Sequence, residues 1–433
     1  MHRESRSRQR IDERIGNRRF IFHPQEVGRR RFRGHGRISG KSRRELGAHW
    51  TRANPRFQNW RLLCIITAMD APKTIAKGRG ATLNMVGRFE SRDAAWFDDG
   101  WGVDEAVERA AKRPKTVIHI ETARSIISHN ESPDIRFDQS INPYRGCEHG
   151  CIYCYARPTH SYLNLSPGLD FETQIFAKRN AAELLRKELG KRGYKPSAIN
   201  LGANTDPYQP IEKTERITRG LIEVVNDCNH PLTIVTKNAL ICRDIDLLAP
   251  MAARKLVNVF VSISQLDNDL TRILEPRAST PANRLRAVRE LSDAGIPTSV
   301  LVAPIIPFIN DEFIERVLEA SREAGAVCAS YTVIRLPYEL KELWKDWLNT
   351  HFPDRAEHVM NRIRDMKGGK ENVSEFGERM RGTGIYADLI RQRFRKTCAR
   401  LGLSAMNLPT LDTEQFVPPV NSALVNASQG QLF

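Results

Sequence analysis

The sequence predicts an α/β fold in which six βα units build one parallel sheet. Apolar strand-like runs alternate with helix-like runs at intervals of roughly 25–35 residues, the spacing of parallel βα units. Parallel strands need right-handed helical crossovers, so this pattern closes towards a barrel or an open twisted sheet. Six units fall short of the eight of a complete barrel. We therefore expect a partial (β/α)6 barrel.

Each unit is predicted from its own residue pattern. The first strand ends at Ile141, and further strands are predicted at 198–201, 232–237, 257–264, 298–303 and 326–334. Helices are predicted at 217–225, 245–253, 281–293 and 313–323; Thr280 is expected to cap the third. We expect Pro304 and Pro307 to end the fifth strand, and Asn310 and Asp311 to cap the helix after it. A short strand is also expected within 115–120, and residues 338–401 are expected to be helical with breaks at glycines.

Composition divides the rest of the chain. Residues 1–68 hold 18 Lys and Arg against 5 Asp and Glu, a net charge of +13, so only +3 of the total +16 belongs to 69–433. This extension cannot bury enough apolar surface to fold alone, and we expect it to be disordered. It is either a nucleic-acid-binding arm or an untranslated stretch before a true start at Met69. Beyond it we expect a loop-rich leader (69–137), the core domain (138–340), a helical C-terminal region (341–408) and an extended tail (409–433).

Cysteine usage and hydropathy bound the class of protein. Five of the eight cysteines are scattered, which is not a disulfide framework, and one tight cluster suits a reducing compartment. The longest early apolar run, Leu62 to Ala68, is far short of the ~18 residues that span a bilayer. We therefore expect a cytoplasmic protein without a membrane segment. Since residues 69–433 are nearly neutral, a nucleic-acid partner is left uncertain.

Three cysteines with the spacing C-x3-C-x2-C follow the first strand: Cys147, Cys151 and Cys154. Thiolates this close in one loop can converge on a single metal centre. Each iron of a four-iron cube takes a terminal ligand, four cysteines are the usual complement, and no fourth cysteine is nearby. One iron would stay open for a non-protein ligand, which by analogy with zinc marks a catalytic site. A zinc site using His149 or His160, or free thiols, are the alternatives.

This motif, with aromatic Tyr153 before the last cysteine, resembles the signature of the radical S-adenosylmethionine (radical SAM) superfamily. The resemblance implies a partial (β/α)6 barrel of the TIM type over residues 138–340, a 4Fe–4S cluster on the three cysteines, and S-adenosylmethionine on the open iron. It implies reductive cleavage of that cofactor to a 5′-deoxyadenosyl radical, which abstracts hydrogen from a substrate. Tyr153 would lie near the adenine. A one-electron donor, flavodoxin or ferredoxin, is implied as a partner.

Polar residues at the ends of the other predicted strands are candidates to hold the cofactor. They are Asn204, Thr205 and Asp206 after strand two, Lys237 after strand three, and Ser262 and Ser264 on one face of strand four. Lysine is a point-charge partner for the methionine carboxylate; a solvated surface lysine is the alternative reading of Lys237. Glu275 and Arg277 form either a recognition pair or a surface pair.

Together these residues resemble the spore-photoproduct-lyase-like branch, described broadly as DNA repair photolyase-like. In that branch short hydroxyl residues at strands two and four and a lysine at strand three contact S-adenosylmethionine, which implies Thr205, Ser262 and Lys237. True spore photoproduct lyases place a hydrogen-donating cysteine near the end of strand two. Here Ala203 and Asn204 stand there, so the thymine-dimer reaction itself is in doubt.

The sequence leaves the substrate open. A DNA or nucleotide lesion, a protein and a small metabolite are all considered, and the rival class is a non-catalytic iron–sulfur or zinc protein. No residue is assigned a catalytic role beyond the cofactor site. The chain ends in Gln429, Leu432 and Phe433 with the spacing Q-x-x-L-F, which resembles the peptide that docks on the bacterial sliding clamp. Leu432 and Phe433 would fill an apolar pocket while Gln429 satisfies its polar rim.

Overall fold

The structure is a computed structural model that describes residues 76–89, 114–135 and 137–419. Predictions for residues 1–68 and for Gln429, Leu432 and Phe433 lie outside the described residues. The strands of the described part are β1 (Val117–Ile120), β2 (Ile127–His129), β3 (Gln139–Ile141), β4 (Tyr144–Arg145), β5 (Gln174–Ala177), β6 (Ile199–Leu201), β7 (Leu232–Thr236), β8 (Val257–Ser262), β9 (Thr298–Ile305) and β10 (Cys328–Val333).

Helices follow most of these strands, and short 3-10 turns lie between several elements. The helices of the described part are α1 (Asp170–Thr173), α2 (Ala181–Leu189), α3 (Glu212–Glu215), α4 (Ile217–Asp227), α5 (Ile245–Ala253), α6 (Asn268–Leu274), α7 (Pro281–Asp293), α8 (Ile314–Glu323), α9 (Leu340–His351), α10 (Ala356–Asp365) and α11 (Gly384–Leu401). No helix in the described ranges combines the length and the apolar character needed to cross a membrane.

The main sheet has seven strands in the order β10-β9-β8-β7-β6-β3-β2. Strand β3 pairs in parallel with β6, strands β6 to β10 pair in parallel in sequence order, and β2 joins the β3 edge antiparallel. The six predicted βα units are therefore confirmed. Strands β10 and β2 are the two edges of the sheet within the described residues, so the barrel is partial, as expected.

Strand alternation decides which side chains face the helices and which face the inside of the curved sheet. Val257, Val259 and Val261 of β8 are buried in the main hydrophobic core together with helix residues such as Val288. Successive side chains of a strand point to opposite faces. Ser262 therefore lies on the inner face.

Two details of the predicted strands are wrong. Strand β9 continues through Pro304 to Ile305, because the β9–β10 register shifts between Tyr331 and Val333 and proline is tolerated at such an irregularity. Strand β8 ends at Ser262, so Ser264 lies in the following loop.

Of the three residues predicted to cap a helix, one does so and two do not. The Thr280 hydroxyl accepts a bond from the amide of Asn283 at the start of α7, as predicted. Asn310 and Asp311 do not cap the next helix. Their side-chain oxygens accept the main-chain N–H groups of Ile306 and Phe308 and so hold the turn after β9.

A second, three-stranded sheet in the order β1-β5-β4 was predicted only at β1. Strand β5 pairs in parallel with β1 and antiparallel with β4. Strand β4 ends at Arg145, just before the loop that carries Cys147, Cys151 and Cys154, here called the cysteine loop. Strand β5 begins at Gln174, after this loop. This small sheet therefore fixes both ends of the segment that carries the three cysteines.

The C-terminal region packs at both ends of the sheet. Trp344 and Trp347 of α9 are fully buried and stacked, with ring centroids 5.0 Å apart, in a second hydrophobic cluster that also contains Ile152 of the cysteine loop. After α11 the chain crosses the beginning of β8, where the Pro409 carbonyl accepts a bond of 3.1 Å from the Asn258 amide.

Residues 373–382, here called the bridging segment, connect the two edges of the main sheet. The amide of Val333 in β10 donates to the Met380 carbonyl at 2.9 Å. The Arg379 guanidinium binds Ser132 and Asp134 in the connection from β2 to β3, and the Gly377 amide donates to Asp134 at 2.7 Å. The open side of the barrel is thus spanned without a further strand in the described part of the chain.

Candidate functional site

The cysteine loop lies at the carboxyl end of the parallel strands. It follows β3 and β4, and active sites of βα architectures lie where strands end and loops begin. Gly150 in this loop has a φ of +67°, and a Cβ there would lie 2.7 Å from a Glu172 carboxylate oxygen. Only glycine combines the left-handed conformation with this close approach, so the tight turn between Cys147 and Cys151 depends on it.

The three thiols lie close enough to influence one another. Cys147 and Cys151 are buried, and Cys154 is partly exposed. Burial raises the pKa of Cys151 to about 12; the Glu275 carboxylate and Cys154 also raise it, while Lys237 lowers it. Burial also raises the pKa of Cys147, as do Asp206 and the other two thiols. Such a group of thiols ionises together only when cations compensate it, and bound metal supplies that charge.

Within the described residues, no three His, Cys, Asp or Glu side chains are arranged to hold a single metal ion. In an iron–sulfur cube each cysteine ligates a separate iron, so its thiols do not meet at one point.

A buried ion pair supports the cysteine loop. Arg157 pairs with Glu172, and both side chains are fully buried. The guanidinium also donates to the main-chain carbonyls of Gly150 at 3.0 Å and Cys151 at 2.9 Å. Gln209 holds the other side: it accepts the Glu148 amide at 2.8 Å and donates to the Gly146 carbonyl at 3.2 Å. Arg157, Glu172 and Gln209 were not singled out from the sequence.

The leader also takes part in the site. The Glu172 carboxylate accepts the amides of Gly80 at 3.0 Å and Ala81 at 2.8 Å. A Cβ at Gly80 would lie 1.9 Å from the Gly150 carbonyl oxygen, so the leader packs directly on the cysteine loop. Arg79 is buried and donates to the Glu172 carbonyl at 2.7 Å. The Arg79-Gly80 dipeptide in the sequence could have signalled such a close approach.

Asp206 connects three strand ends. One carboxylate oxygen lies 3.3 Å from His149 Nδ1 in the cysteine loop. The carboxylate also accepts the Thr236 hydroxyl at 2.7 Å and the Lys237 amide at 2.6 Å. Burial alone would raise the pKa of Asp206, but His149 and these hydrogen bonds hold it at about 2. Asp206 was predicted to contact the cofactor, and the structure places it in the protein's own network.

Lys237 and Glu275 lie beside Cys151, as charges that act on its thiol. Burial lowers the pKa of Lys237, but Cys151, Glu275 and Asp206 raise it more. Glu275 is buried, pairs with Arg284 of α7 and accepts the Tyr153 hydroxyl. Lys237 is half-buried, so it is not a fully solvated surface lysine. That its ammonium lies near the cluster ligands stays a prediction. Glu275 does not form a surface pair with Arg277.

Arg277 has a different partner. It pairs with Glu148 of the cysteine loop at 3.0 Å and donates to the Thr116 hydroxyl at 3.2 Å. Its neighbour Pro276 packs on the loop as well, because a Cβ at Gly150 would lie 3.2 Å from Pro276 Cγ. The Glu275-Pro276-Arg277 tripeptide therefore holds the cysteine loop with both of its charges.

The remaining predicted residues are buried near the same strand ends. The Thr205 hydroxyl donates to the Tyr144 carbonyl at 3.1 Å. Ser262 has little exposure, and its carbonyl accepts Arg284 at 3.0 Å. The Ser264 hydroxyl bonds to Gln265 rather than lying on the strand face. Contacts of Tyr153, Thr205, Lys237 and Ser262 with S-adenosylmethionine stay predictions.

A family model described as the Radical SAM superfamily matches residues 141–320, the range that contains all three cysteines and the parallel strands β6 to β9. An uncharacterized protein of Mycobacterium tuberculosis is 33% identical over 294 residues, which is 66% of this chain and 82% of the relative. The chain belongs to the radical SAM superfamily. A further relative, an uncharacterized protein of Methanocaldococcus jannaschii, is 27% identical over 51% of this chain and 79% of its own length.

Solved structures similar to this radical SAM protein include spore photoproduct lyase. A structure with dinucleoside spore photoproduct has a TM-score of 0.46 at 16% identity, covering 66% of this chain and 81% of the other. A doubly substituted mutant of that lyase, with bound AdoMet and the same ligand, has a TM-score of 0.48 at 17% identity, covering 73% of this chain and 86% of the other.

The cofactors of the radical SAM superfamily are a 4Fe–4S cluster and S-adenosylmethionine. The residues present fit them. Cys147, Cys151 and Cys154 would hold the cluster through three irons, because Cys154 packs against the buried group that contains Cys147 and against the one that contains Cys151, and no fourth cysteine adjoins them in the described part. Lys237 would supply a positive charge beside Cys151.

Proposed function

We propose that this radical SAM protein is an enzyme that abstracts hydrogen from a substrate held at the carboxyl end of its partial barrel. When bound, the cluster supplies an electron that cleaves S-adenosylmethionine to methionine and a 5′-deoxyadenosyl radical. The protein itself orients the cofactors and excludes water. The substrate is a DNA or nucleotide lesion in this proposal, with a protein or a small metabolite as the alternative.

The observation that carries the proposal is the group of three thiols together with the half-buried Lys237 ammonium. Lys237 and Cys151 influence each other electrostatically, and Glu275 and Arg284 balance the local charge. An ammonium next to the cluster ligands is suited to bind the carboxylate of the methionine moiety. A binding or electron-transfer protein would not need this second charge, so the arrangement favours catalysis.

The supporting residues keep the loop in one conformation. Arg157 and Gln209 bind main-chain carbonyls of the loop from opposite sides, and the Gly80 backbone closes on it from the leader. Rigid support of this kind is what a ligand loop requires to hold its thiols at fixed positions.

Anaerobic reconstitution tests the proposal. The full chain is loaded with iron and sulfide, reduced with dithionite and given S-adenosylmethionine, and 5′-deoxyadenosine is measured. We expect about four irons per chain and formation of 5′-deoxyadenosine, with both lost in C147A, C151A and C154A. Cys228→Ala is the matched control, because Cys228 is buried at the C-terminal end of α4, outside the cysteine loop. Iron binding without 5′-deoxyadenosine would contradict the enzyme and support a non-catalytic iron–sulfur protein.

The partners and the compartment are part of the same proposal. A flavodoxin or ferredoxin would deliver the electron, and Gln429, Leu432 and Phe433 would dock on a sliding clamp, which would bring the enzyme to DNA. A pull-down with purified clamp tests the tail, and equal retention of a chain lacking these residues would contradict it. Seven cysteines of the described residues are free thiols, which supports a reducing, cytoplasmic location.

A further inference from the structure

Four cations lie around β10 and the bridging segment, between the cysteine loop and a cavity beside β10. Its members are Arg335, Lys367, Arg381 and Arg395. None of them forms an ion pair with another described residue, whereas neighbouring Arg364, Arg379 and Arg391 do. We call these four residues the cation row. Arg381 and Arg395 are not buried and can bind an anionic ligand directly, whereas Lys367 is buried and adds only its charge.

The inner end of the cation row adjoins the proposed active site. The Arg335 guanidinium carbon lies 5.6 Å from the centroid of the Tyr155 ring, and Tyr155 directly follows Cys154. Arg335 Nε is buried and has no hydrogen-bond partner among the described residues. Tyr155 is 47% exposed, although its hydroxyl donates to the Ala203 carbonyl. An exposed ring and a guanidinium with one unpaired buried nitrogen thus lie together next to the last cysteine.

Lys367 continues the row behind Arg335. It is 3% exposed, and its ammonium donates to the Arg379 carbonyl of the bridging segment at 2.9 Å. Burial and the nearby Arg335 lower the pKa of Lys367 to about 8, although Glu378 raises it. Burial and Arg379 likewise lower the pKa of Arg335, although Tyr155 and Asp134 raise it. Two cations that disfavour each other's charge are stabilised when an anion binds between or beside them.

The outer end of the row lines a cavity of about 830 Å³ between β10 and α11. Arg381 and Arg395 face it, and the Arg381 guanidinium lies 4.0 Å from the Tyr331 ring centroid. Tyr331 is 5% exposed, and its hydroxyl is buried without a hydrogen-bond partner in the described part. A polar group this well buried normally has a partner. The cavity therefore offers two guanidinium groups to a ligand that supplies acceptors.

We propose that the cation row binds one strand of nucleic acid, with phosphates on Arg381 and Arg395 and a base on the exposed face of Tyr155. Proteins that bind single strands combine a basic groove for the backbone with aromatic rings on which bases stack. Phe376 of the bridging segment, 58% exposed beneath the Arg379 guanidinium, adds a second ring. These rings favour nucleic acid over an acidic peptide, whose side chains have no bases to stack.

This inference rests on the proposed function, since it brings a nucleic-acid substrate to the cysteine loop. It is tested by binding, which does not require turnover. The probe is a 5′-fluorescein-labelled, single-stranded DNA of about 12 nucleotides, within the site sizes of single-strand binding folds, titrated with the full chain at several salt concentrations. The variant is R381Q/R395Q, and R272Q/R286Q is its control, because Arg272 and Arg286 are exposed on α6 and α7. Both double variants remove two positive charges and retain residues 1–68, so non-specific attraction is matched.

We expect R381Q/R395Q to bind the probe about 25-fold more weakly at about 0.1 M salt, and the slope of log K against log salt to fall by about 1.4, the values for two lost phosphate contacts on a single strand. R395Q alone, at an exposed helix position, should lose about half of that slope. The control should bind as the wild type does. Equal weakening of both double variants, or of neither, would overturn the proposal.

A competition experiment separates nucleic acid from an acidic peptide. A poly-glutamate peptide of the same length as the probe should displace it at least about ten-fold less effectively than unlabelled DNA, since the peptide supplies negative charge without stacking. Equal displacement would overturn the assignment to nucleic acid. Formation of 5′-deoxyadenosine is measured on the wild type and on the same variants without DNA, and it distinguishes the two hypotheses. If all form it normally and R381Q/R395Q binds DNA as tightly as the wild type, only the proposal for the cation row is contradicted. If none forms it, the wild type included, and R381Q/R395Q binds DNA more weakly, only the proposal of an enzyme is contradicted.

Discussion

The Glu275 carboxylate accepts a hydrogen bond from the Tyr153 hydroxyl and so joins the cysteine loop to the segment between α6 and α7. The same carboxylate pairs with Arg284, which in turn donates to the Ser262 carbonyl at the end of β8 at 3.0 Å. The position of the cysteine loop is therefore coupled through the buried Glu275 carboxylate to the end of β8. Tyr153 serves this network through its hydroxyl.

Replacing Glu275 with Gln should cost about 3–5 kcal/mol in the free energy of unfolding, because it leaves the buried Arg284 guanidinium without its counter-charge. Tyr153→Phe keeps that ion pair and should cost about 1.5–3 kcal/mol, the value of a bond to a charged group. Urea unfolding of the cluster-free protein measures both. Arg272→Gln, which breaks an exposed pair, is the control and should change stability by less than about 1 kcal/mol. Equal costs for E275Q and Y153F would refute the assignment.

Replacing Gly80 with Ala should reduce the iron bound per chain. The added Cβ would lie 1.9 Å from the Gly150 carbonyl oxygen, so either the leader or the cysteine loop must move. Overpacking of this kind costs about 1–3 kcal/mol. Gly220→Ala is the control: it lies in α4, a Cβ there meets Ala182 at an ordinary 3.7 Å, and alanine favours a helix. Iron content and thermal midpoint are measured for both, and wild-type iron content in G80A would show that the contact is dispensable.

Replacing Lys237 with Gln should weaken S-adenosylmethionine binding to the iron-loaded protein by about 10- to 150-fold, the loss of one charge-assisted bond of about 1.5–3 kcal/mol. Iron content should stay unchanged, because Lys237 is not a thiol ligand. Lys213→Gln, at an exposed position of α3, should have no effect. Equilibrium dialysis with labelled cofactor gives the dissociation constants. If K237Q binds the cofactor as tightly as the wild type, the ammonium has another role.

His230 should make the fold less stable in mild acid. Burial lowers its pKa to about 4, and its Nε2 lies 2.8 Å from the Tyr194 hydroxyl. The unfolded chain takes up the proton near about pH 6.5, so the stabilisation from neutral His230 is complete above that pH and is lost as pH falls towards about 4, at about 1.4 kcal/mol per unit. In His230→Phe this part of the slope should vanish. Urea midpoints between about pH 4.5 and 7.5, the range that brackets this titration, test it, and parallel curves for the two proteins would rule His230 out.

The framework of this fold could be predicted because its signals are local. Helices α5 and α7 were predicted residue for residue, since apolar periodicity, Thr280 and Pro281 all lie within or beside the elements they define. Strands β4 and β5 escaped prediction because two and four residues carry no periodicity. They form by pairing with each other, which sequence order alone does not reveal.

The candidate site was predictable only where its residues share one motif. The three cysteines and Lys237 followed from spacing and from the ends of strands. The residues that support the cysteine loop could not be predicted in this way. Arg79 binds the Glu172 carbonyl 93 positions away, and Arg284 binds Glu275 because the chain turns back after α6. Buried charges of this kind look like surface residues in a sequence, and only their contacts in the folded chain show that they belong to a site.

The bridging segment joins the sheet edges through one backbone bond to Val333 and through side-chain contacts at Asp134. The contacts of the bridging segment can break while the hydrogen bonds between all the strands remain intact, because local opening occurs first in segments with few hydrogen bonds. Its amides should exchange with deuterium well before those of β8. A polymer could then be admitted sideways at an internal position, without a free end having to thread through a closed ring.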